Sequence, residues 1–395
     1  MPSKRLVLSA ESVTCGQSNK LCDLIVDTIL DRVLAEDHFA RVDLDAVAAP
    51  GMVLVAGELT TKHYADIVGI TREVVACAGY DSAELAFNAR SIAVFNVLQE
   101  QSEEVALAVD RRGAGNQCVT IGYATNEAAR VGLDTELMPL PIVTAHRLAK
   151  RLCEARTSGA MAGLHPDGQV QATFLYDDGV PVRLLNATVS GQHSAAATEK
   201  QIREGIMETV IKPVIGGLGE VDVQKAELLV NHAGLFVAGG PSSDVGVSGR
   251  STVNDLYGAA VPTGGHALSG KDPTKTDRAA TYMARHIAKC VVAANLADRC
   301  EVRLAYLFGR EEPFSVQINT FGTGRTDADA DLAAAIHRAF DLTTPGIVEA
   351  FDLRRVKYAP LCCFGCVGRP GAPWESVEPA AKLRDEMAGA KGGRS

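Results

Sequence analysis

Aromatic side chains are scarce in this 395-residue chain: Phe, Trp and Tyr together make 5% of it, with a single Trp. Its core must therefore be built from Ala, Val, Leu and Ile. Basic residues are outnumbered, 39 Lys and Arg against 48 Asp and Glu, for a formal charge of −9. That balance argues against sequence-independent nucleic-acid binding, which needs a basic stripe. No apolar run reaches the ~18 residues of a membrane span, and the opening Met1–Glu11 stretch is too short in apolar residues for a secretory signal. The ten cysteines follow no stapling pattern, as expected of a reduced, cytoplasmic protein. Low-complexity linkers are also missing. What is present, 47% hydrophobic and 22% charged residues, is the composition of a folded globular protein long enough for two or three domains.

Along the chain, short β-rich runs bounded by Gly accompany long amphipathic helices in a pattern that recurs three times. The first helix is predicted over Ser18–Ala35, with Leu21, Leu24, Ile25, Ile29 and Val33 on one face and Ser18 or Asn19 as its cap. A second is placed near Thr198–Val214 and a third after Asp277, with Met283, Ile287 and Val291 in its stripe. Strands are expected at Met52–Ala56, Val119–Tyr123, Val170–Tyr176, Pro181–Val189, Leu228–Val230, Val302–Leu307 and Phe314–Asn319. Val170 to Val189 reads as a hairpin around Asp177-Asp178-Gly179, which makes those acids turn residues rather than a catalytic pair. Strict strand–helix alternation is absent, so the class is α+β, each third a small sheet with a helix on one face. The tail from Ala388 is expected to fray.

Gly-rich loops carrying charged or amide residues are dense: Gly113–Gln117, Gly239–Asp244 and Gly264–Lys275. Backbone without Cβ can approach an anion closely, and a neighbouring Lys adds positive charge. The last loop lacks phosphate-loop spacing, because Asp272 follows Lys271. Singly, each loop reads as a turn; together they point to a ligand. More specific are Gly51–Thr61, Gly122–Glu127, Met138-Pro139 with Ala145–Leu148, Ser269–Pro273 through Asp277-Arg278, and Ala297–Glu301. On these stretches, in this order, the chain resembles the S-adenosylmethionine synthetase family from Glu11 to about Glu375. The resemblance implies three similar α+β domains with pseudo-threefold symmetry, taken here as residues 1–102, 111–235 and 236–380. It also implies a homodimer or homotetramer with interfacial active sites, and Mg²⁺ and K⁺ as cofactors. The implied reaction joins methionine sulfur to C5′ of ATP, expelling triphosphate that is then hydrolysed. Sulfur is already a good nucleophile, so alignment and leaving-group stabilisation matter more than a general base.

By the same resemblance, Glu58 receives the ammonium of methionine or a related amino acid, and Gln101 and Lys275 hold its carboxylate. Asp244 is an acidic contact in that region. Phe236 stacks on the adenine of ATP or another adenosine-containing ligand, and Asp167 meets its ribose. Glu11 and Asp277 are metal-site carboxylates, Asp45 a shorter acid where a K⁺-binding Glu is usual, and Lys20, Arg250 and Lys271 phosphate-side cations. The triphosphate end departs from the family pattern. Gln17 stands in place of a His, Asn19 and Asn116 in place of Asp, and Cys118 in place of Gly. Gln169 and Ser251 occupy Lys positions. His266 and Leu268 replace Gly and Phe, and Phe308 an Ile of the amino-acid pocket. His266 is a candidate replacement proton donor from another loop. The segment after Gln101 is short, Ser102–Arg112. Cys362-Cys363-Phe364-Gly365-Cys366 holds a C-x-x-C pair without a second pair, so it reads as packing, and Cys15 reads as a core or loop cysteine. Three functions are consistent with these residues: a methionine adenosyltransferase, a repurposed relative that handles an amino acid and an adenosine-like group without triphosphate chemistry, and a non-catalytic subunit of a synthetase.

Overall fold

The structure, a computed structural model, describes residues 5–325 and 329–392, with side chains as far as Met387. Its strands are β1 (Arg5–Val13), β2 (Arg41–Ala49), β3 (Met52–Thr60), β4 (Ala93–Gln99), β5 (Cys118–Thr125), β6 (Leu164–Asp177), β7 (Val180–His193), β8 (Glu227–Val230), β9 (Gly246–Val247), β10 (Arg299–Tyr306) and β11 (Ser315–Asn319). The helices are α1 (Ser18–Glu36), α2 (Ile67–Cys77), α3 (Glu103–Asp110), α4 (Leu140–Thr157), α5 (Glu199–Ile206), α6 (Lys212–Ile215), α7 (Thr252–Asp255), α8 (Thr276–Ala293), α9 (Asp329–Ala339), α10 (Thr344–Ala350) and α11 (Pro379–Gly392).

Three sheets result, ordered β1-β6-β7-β8, β4-β3-β2-β9 and β11-β10-β5. Neighbours run antiparallel except β3 with β4 and β7 with β8. Each sheet takes a strand from a distant stretch of chain. Strand β1 pairs with β6 from Arg5↔Asp177 to Val13↔Gln169, β5 pairs with β10, and β9 joins β2. One long helix lies on each sheet: α1 on β2, α4 on β6 and β1, and α8 on β5 and β10. The fold is α+β, as the sequence implies.

Helix α1 buries Leu21, Ile25, Ile29 and Val33, as its stripe predicts. Its cap differs from the expectation. Gln17, not Ser18 or Asn19, closes the helix, its Oε1 accepting from the amides of Asn19 (2.9 Å) and Lys20 (3.2 Å). The longer glutamine side chain reaches back over the first turn, which the usual short-chain capping preference does not anticipate. The helix against the β1-β6-β7-β8 sheet is also not the expected one. That place belongs to α4, while the Thr198–Val214 stretch is α5, a π turn over Met207–Ile211, and α6, stacked outside α4. The Asp177–Gly179 hairpin is as read, with Asp178 (φ 48°) and Gly179 (φ 77°) both left-handed. At the C-terminus, α11 carries the backbone helically through Gly392 where fraying was expected from Ala388, and residues 393–395 lie outside the described residues.

Helix α8 is enclosed on all sides: every residue from Thr276 to Val292 is buried, charged ones included. Those charges are paired. Arg278 meets Asp27 of α1 through two 2.8 Å bonds, and Arg285 and Lys289 converge on Glu375 at 2.9 and 2.8 Å. The single Trp374 stacks flat on Tyr282, ring centroids 3.7 Å apart.

Candidate active site

Two groups of polar residues flank α1, which serves as their common spine. Asp23 of α1 accepts from Gly249 N and Asp27 from Gly270 N, both at 2.8 Å, anchoring the two Gly-containing loops along one helix.

The first group lies where β2, β3 and the end of β4 meet the loop leading into α8. Asp43 stands opposite Glu58 across β2 and β3 and opposite Lys271 in an isolated bridge. Lys275 Nζ sits 3.8 Å from Glu58 and 4.0 Å from Asp43. Burial raises the Asp43 carboxyl's affinity for its proton, and Lys271 and Lys275 oppose that. Asp277, almost fully buried, accepts from Lys271 at 2.5 Å and, through both its oxygens, from Asn116 Nδ2 at 2.9 Å, with His266 Nδ1 at 3.6 Å. Thr276 donates to Asn116 Oδ1 at 2.5 Å, fixing which way that amide points. Gln101 follows β4, its N–H bonded to Thr60 Oγ1, and its side-chain oxygen and nitrogen are both buried without a partner. Phe308 is half-exposed, bridged to Ala114 in the same loop system as Asn116. The short Ser102–Arg112 segment forms α3, capped by Ser102.

The second group surrounds the start of α1 and the β1-β6-β7-β8 sheet. Asp167 accepts from Gly240 N at 2.8 Å through Oδ2, while Oδ1 is buried and unpartnered. Burial raises its proton affinity, the Gly240 and Gly168 amides working against that. Gly240 adopts φ 65°, and a Cβ there would meet the Tyr80 hydroxyl at 2.1 Å, so only glycine brings this amide onto Asp167. Phe236 is fixed through both backbone groups to His193, and Asp244 is exposed just beyond Gly240. Asn19 Oδ1 accepts from Val247 N at 3.0 Å, and Asp45 Oδ1 accepts from Ser248 at 2.7 Å. Glu11 and Gln169 are exposed on the paired strands β1 and β6, with Gln171 bonded to Glu11. Arg250 is exposed and Ser251 buried at the start of α7. Lys20 is turned inward: its Nζ reaches Asp23 at 3.0 Å and Asp255 at 2.5 Å. Burial opposes its charge, but the two carboxylates keep it protonated.

The structure thus links Glu58 with Lys275, and Lys271 and His266 with Asp277, in one group, Gln101 lying just past the strand beside Glu58. Gln17, Asn19 and Lys20 lie at the start of α1, with Asp167, Phe236, Asp244 and Ser251 in the second group. Sequence reasoning missed Asp43, Asp23 and Asp255, the acids that fix the lysines. Only Asp43 left a signal, sharing a face of β2 with Asp45 through the two-residue period.

A metal shell is not assembled within one chain. Among the described residues, no three His, Cys, Asp or Glu side chains group so as to hold an ion. The Asp277 oxygens face Lys271 and Asn116, Asn19 Oδ1 and Asp45 Oδ1 each hold a donor from the 247–248 stretch, and Glu11 stands apart on β1. The donor set of a single chain therefore does not fit a preformed Mg²⁺ or K⁺ site.

Comparison with known proteins agrees with the architecture. The N-terminal, central and C-terminal domains of S-adenosylmethionine synthetase match residues 5–103, 111–236 and 238–376. Proteins named S-adenosylmethionine synthase from two strains of Thermus thermophilus are each 42% identical over 98% of this chain and 99% of their own length. With all three domain types present in order along nearly the whole polypeptide, the chain belongs to the S-adenosylmethionine synthetase family.

Proposed function

We propose that the protein is a methionine adenosyltransferase, converting ATP, methionine and water to S-adenosylmethionine, phosphate and diphosphate. The observation that carries this reading is the pair of buried, unpartnered groups: the Gln101 amide, two residues past the Gln99 that pairs with Glu58, and Asp167 Oδ1, whose carboxylate holds Gly240 next to the Gly239 that borders Phe236. Buried polar atoms without partners are costly in a folded protein, and a ligand that supplies the missing bonds removes that cost. An amino acid fits the first. Its ammonium faces Glu58, and its carboxylate faces Lys275 and the Gln101 amide. A ribose hydroxyl fits the second, donating to Asp167 Oδ1 while the base lies on the Phe236 ring.

In this assignment sulfur attacks C5′, the C5′–O bond breaks, and the triphosphate leaves toward Lys271 and Arg250. Gln17, Ser251, Gln169 and His266 are assigned to the leaving side, and Asn19, Glu11, Asp45 and Asp277 to the ion side. Mg²⁺ would arrive with ATP and shield the phosphate charge. K⁺ binding at Asp45 requires that carboxylate to leave Ser248. The two halves of the site come together in a homodimer or homotetramer. Among the described residues no helix is long and apolar enough to cross a membrane. Incubation with ATP, methionine, Mg²⁺ and K⁺ followed by mass spectrometry is expected to give S-adenosylmethionine; a lack of sulfonium product at every ion composition would overturn the assignment.

A second reading, an amino-acid and nucleoside enzyme without triphosphate chemistry, draws on one observation. Gln17 and Asn19 use their side-chain oxygens to hold α1 and β9 rather than a metal. It requires S-adenosylmethionine or adenosine to stabilise the protein thermally more than ATP with Mg²⁺ does.

A further inference from the structure

Gln17, Asn19 and Asn116 each carry an amide, with an oxygen that accepts and an NH₂ that donates. Which of the two is left for a ligand is fixed by the partner inside the chain. Gln17 Oε1 accepts from two backbone N–H groups, Asn19 at 2.9 Å and Lys20 at 3.2 Å. Asn19 Oδ1 accepts from the Val247 N–H at 3.0 Å. Asn116 Nδ2 donates to both oxygens of Asp277 at 2.9 Å, and its Oδ1 accepts from the Thr276 hydroxyl at 2.5 Å. A backbone N–H cannot bond to NH₂, and a carboxylate cannot bond to a carbonyl oxygen. None of the three amides can therefore turn over and keep its bonds. All three oxygens are committed internally, and among the described residues Gln17 Nε2 and Asn19 Nδ2 have no partner. Gln17 is only 5% exposed, so its free NH₂ belongs to a buried side chain.

The carboxylates nearby are committed as well. Asp277 takes Lys271 on Oδ2 at 2.5 Å in addition to Asn116. Lys20 is held by Asp23 and Asp255. Among the described residues, Glu11 and Asp45 each keep one oxygen without a partner, but they stand on β1 and β2, strands of different sheets. Mg²⁺ takes oxygen ligands at about 2.0–2.1 Å, and an amide NH₂ cannot be one. An ion at Asp277 would have to displace both Lys271 and Asn116. Arg250, by contrast, is exposed and without an ion pair among the described residues. It follows the 247–249 stretch that Asn19 and Asp23 hold against α1. Free N–H groups beside a guanidinium are the complement of an anionic oxygen, not of a cation.

We infer that this chain recognises the polyphosphate directly, through Gln17 Nε2, Asn19 Nδ2 and Arg250, and without a divalent ion held by protein oxygens. The identity of the anion rests on the adenosyltransferase reading; its metal-free recognition rests on the amides. Acids of the same shape reverse the polarity. In Gln17→Glu and Asn19→Asp the carboxylate still accepts from the same backbone N–H groups, but the atom left over becomes an acceptor that repels phosphate oxygen unless a cation lies between them.

Full-length protein is titrated calorimetrically with inorganic tripolyphosphate, once in EDTA and once with Mg²⁺, and separately with Mn²⁺ alone. Tripolyphosphate is expected to bind in EDTA no more than about threefold more weakly than with Mg²⁺, and Mn²⁺ alone to give no saturable heat. In the Gln17→Glu/Asn19→Asp double variant, melting like the parent, metal-free affinity should fall about tenfold or more and Mg²⁺ should restore most of it. Metal-free recognition is overturned if the parent binds tripolyphosphate about tenfold or more weakly in EDTA than with Mg²⁺, or under neither condition. Saturable Mn²⁺ binding, or a folded double variant with the parent's metal-free affinity, overturns it too. Should the double variant not fold, the parent titrations decide. Sulfonium formation is a separate readout. Product together with Mg²⁺-dependent tripolyphosphate binding would remove the metal-free recognition and keep the adenosyltransferase; metal-free binding without product would do the reverse.

Discussion

Asp277 holds together the leaving-group side of the proposed site, accepting from Lys271 and from Asn116 and lying within 3.6 Å of His266. With a neutral side chain at this position, Lys271 loses its paired carboxylate and Asn116 its acceptor. Asp277→Asn is therefore expected to lower kcat/KM for S-adenosylmethionine formation about a hundredfold or more, the scale of one lost electrostatic contact in a preorganised site. A melting curve should show the variant still folded; unchanged kinetics would remove Asp277 from the site. At this scale the sequence was legible for chemistry and illegible for pairing. Motif order pointed to Glu58, Lys271, Lys275 and Asp277 as candidates, yet nothing local indicates that Lys20 points inward to Asp255, 235 positions away.

Between elements, the decisive contact is the buried Arg278–Asp27 pair joining α8 to α1. Asp27 also holds Gly270 N, so the same carboxylate positions the loop that carries Lys271. Removing one partner leaves a charge without compensation in the interior. Arg278→Met is expected to destabilise by about 3–5 kcal/mol, and the double change with Asp27→Leu by less, as measured by urea unfolding. If the double variant were as unstable as the single one, packing rather than the stranded charge would be the cause. The periodicity of α1 and α8 was readable because their stripes use Leu, Ile, Met and Val. Helix α4 lacks a readable start: Pro139 holds the cap position without a capping side chain, and Pro141 lies in the first turn. Strand β2 alternates faithfully, but two of its four buried positions, Ala46 and Ala48, are alanines, which carry little β preference.

At the scale of the whole molecule, acid stability depends on groups that must stay neutral inside. His146 on α4 bonds to Ser12 through Nδ1 at 2.9 Å and has its Nε2 buried without a partner; burial, aided by Arg369 and Lys20, pushes its pKa from 6.5 down to about 3. Between those values the unfolded chain binds a proton that the folded one refuses, so stability falls as pH drops through that window. The slope for one such group approaches 1.4 kcal/mol per pH unit. Buried carboxyls such as Glu127 and Asp255, raised by desolvation, act in the opposite sense. The His146 contribution is therefore the difference between the parent and His146→Gln, whose unfolding free energy should fall less, or rise more, from about pH 6 to 4. Identical slopes would show that His146 is not responsible. Assembly is tested on β4, where Phe95 and Val97 stand exposed at 53% and 65%. Val97→Asp should shift the protein toward monomer in light scattering and reduce turnover in proportion; a monomeric parent would separate the proposed activity from dimer formation.

The way each sheet borrows a strand from elsewhere has a consequence for biosynthesis. Strand β1 ends at Val13, yet its partner β6 begins only at Leu164, so β1 leaves the ribosome well before β6. Until then its backbone donors and acceptors stay open on a nascent chain, the condition that invites pairing with a neighbouring copy. Cutting the polypeptide at its segment borders would leave every fragment with an orphaned edge, so the three parts should reach the native state only as one uninterrupted chain.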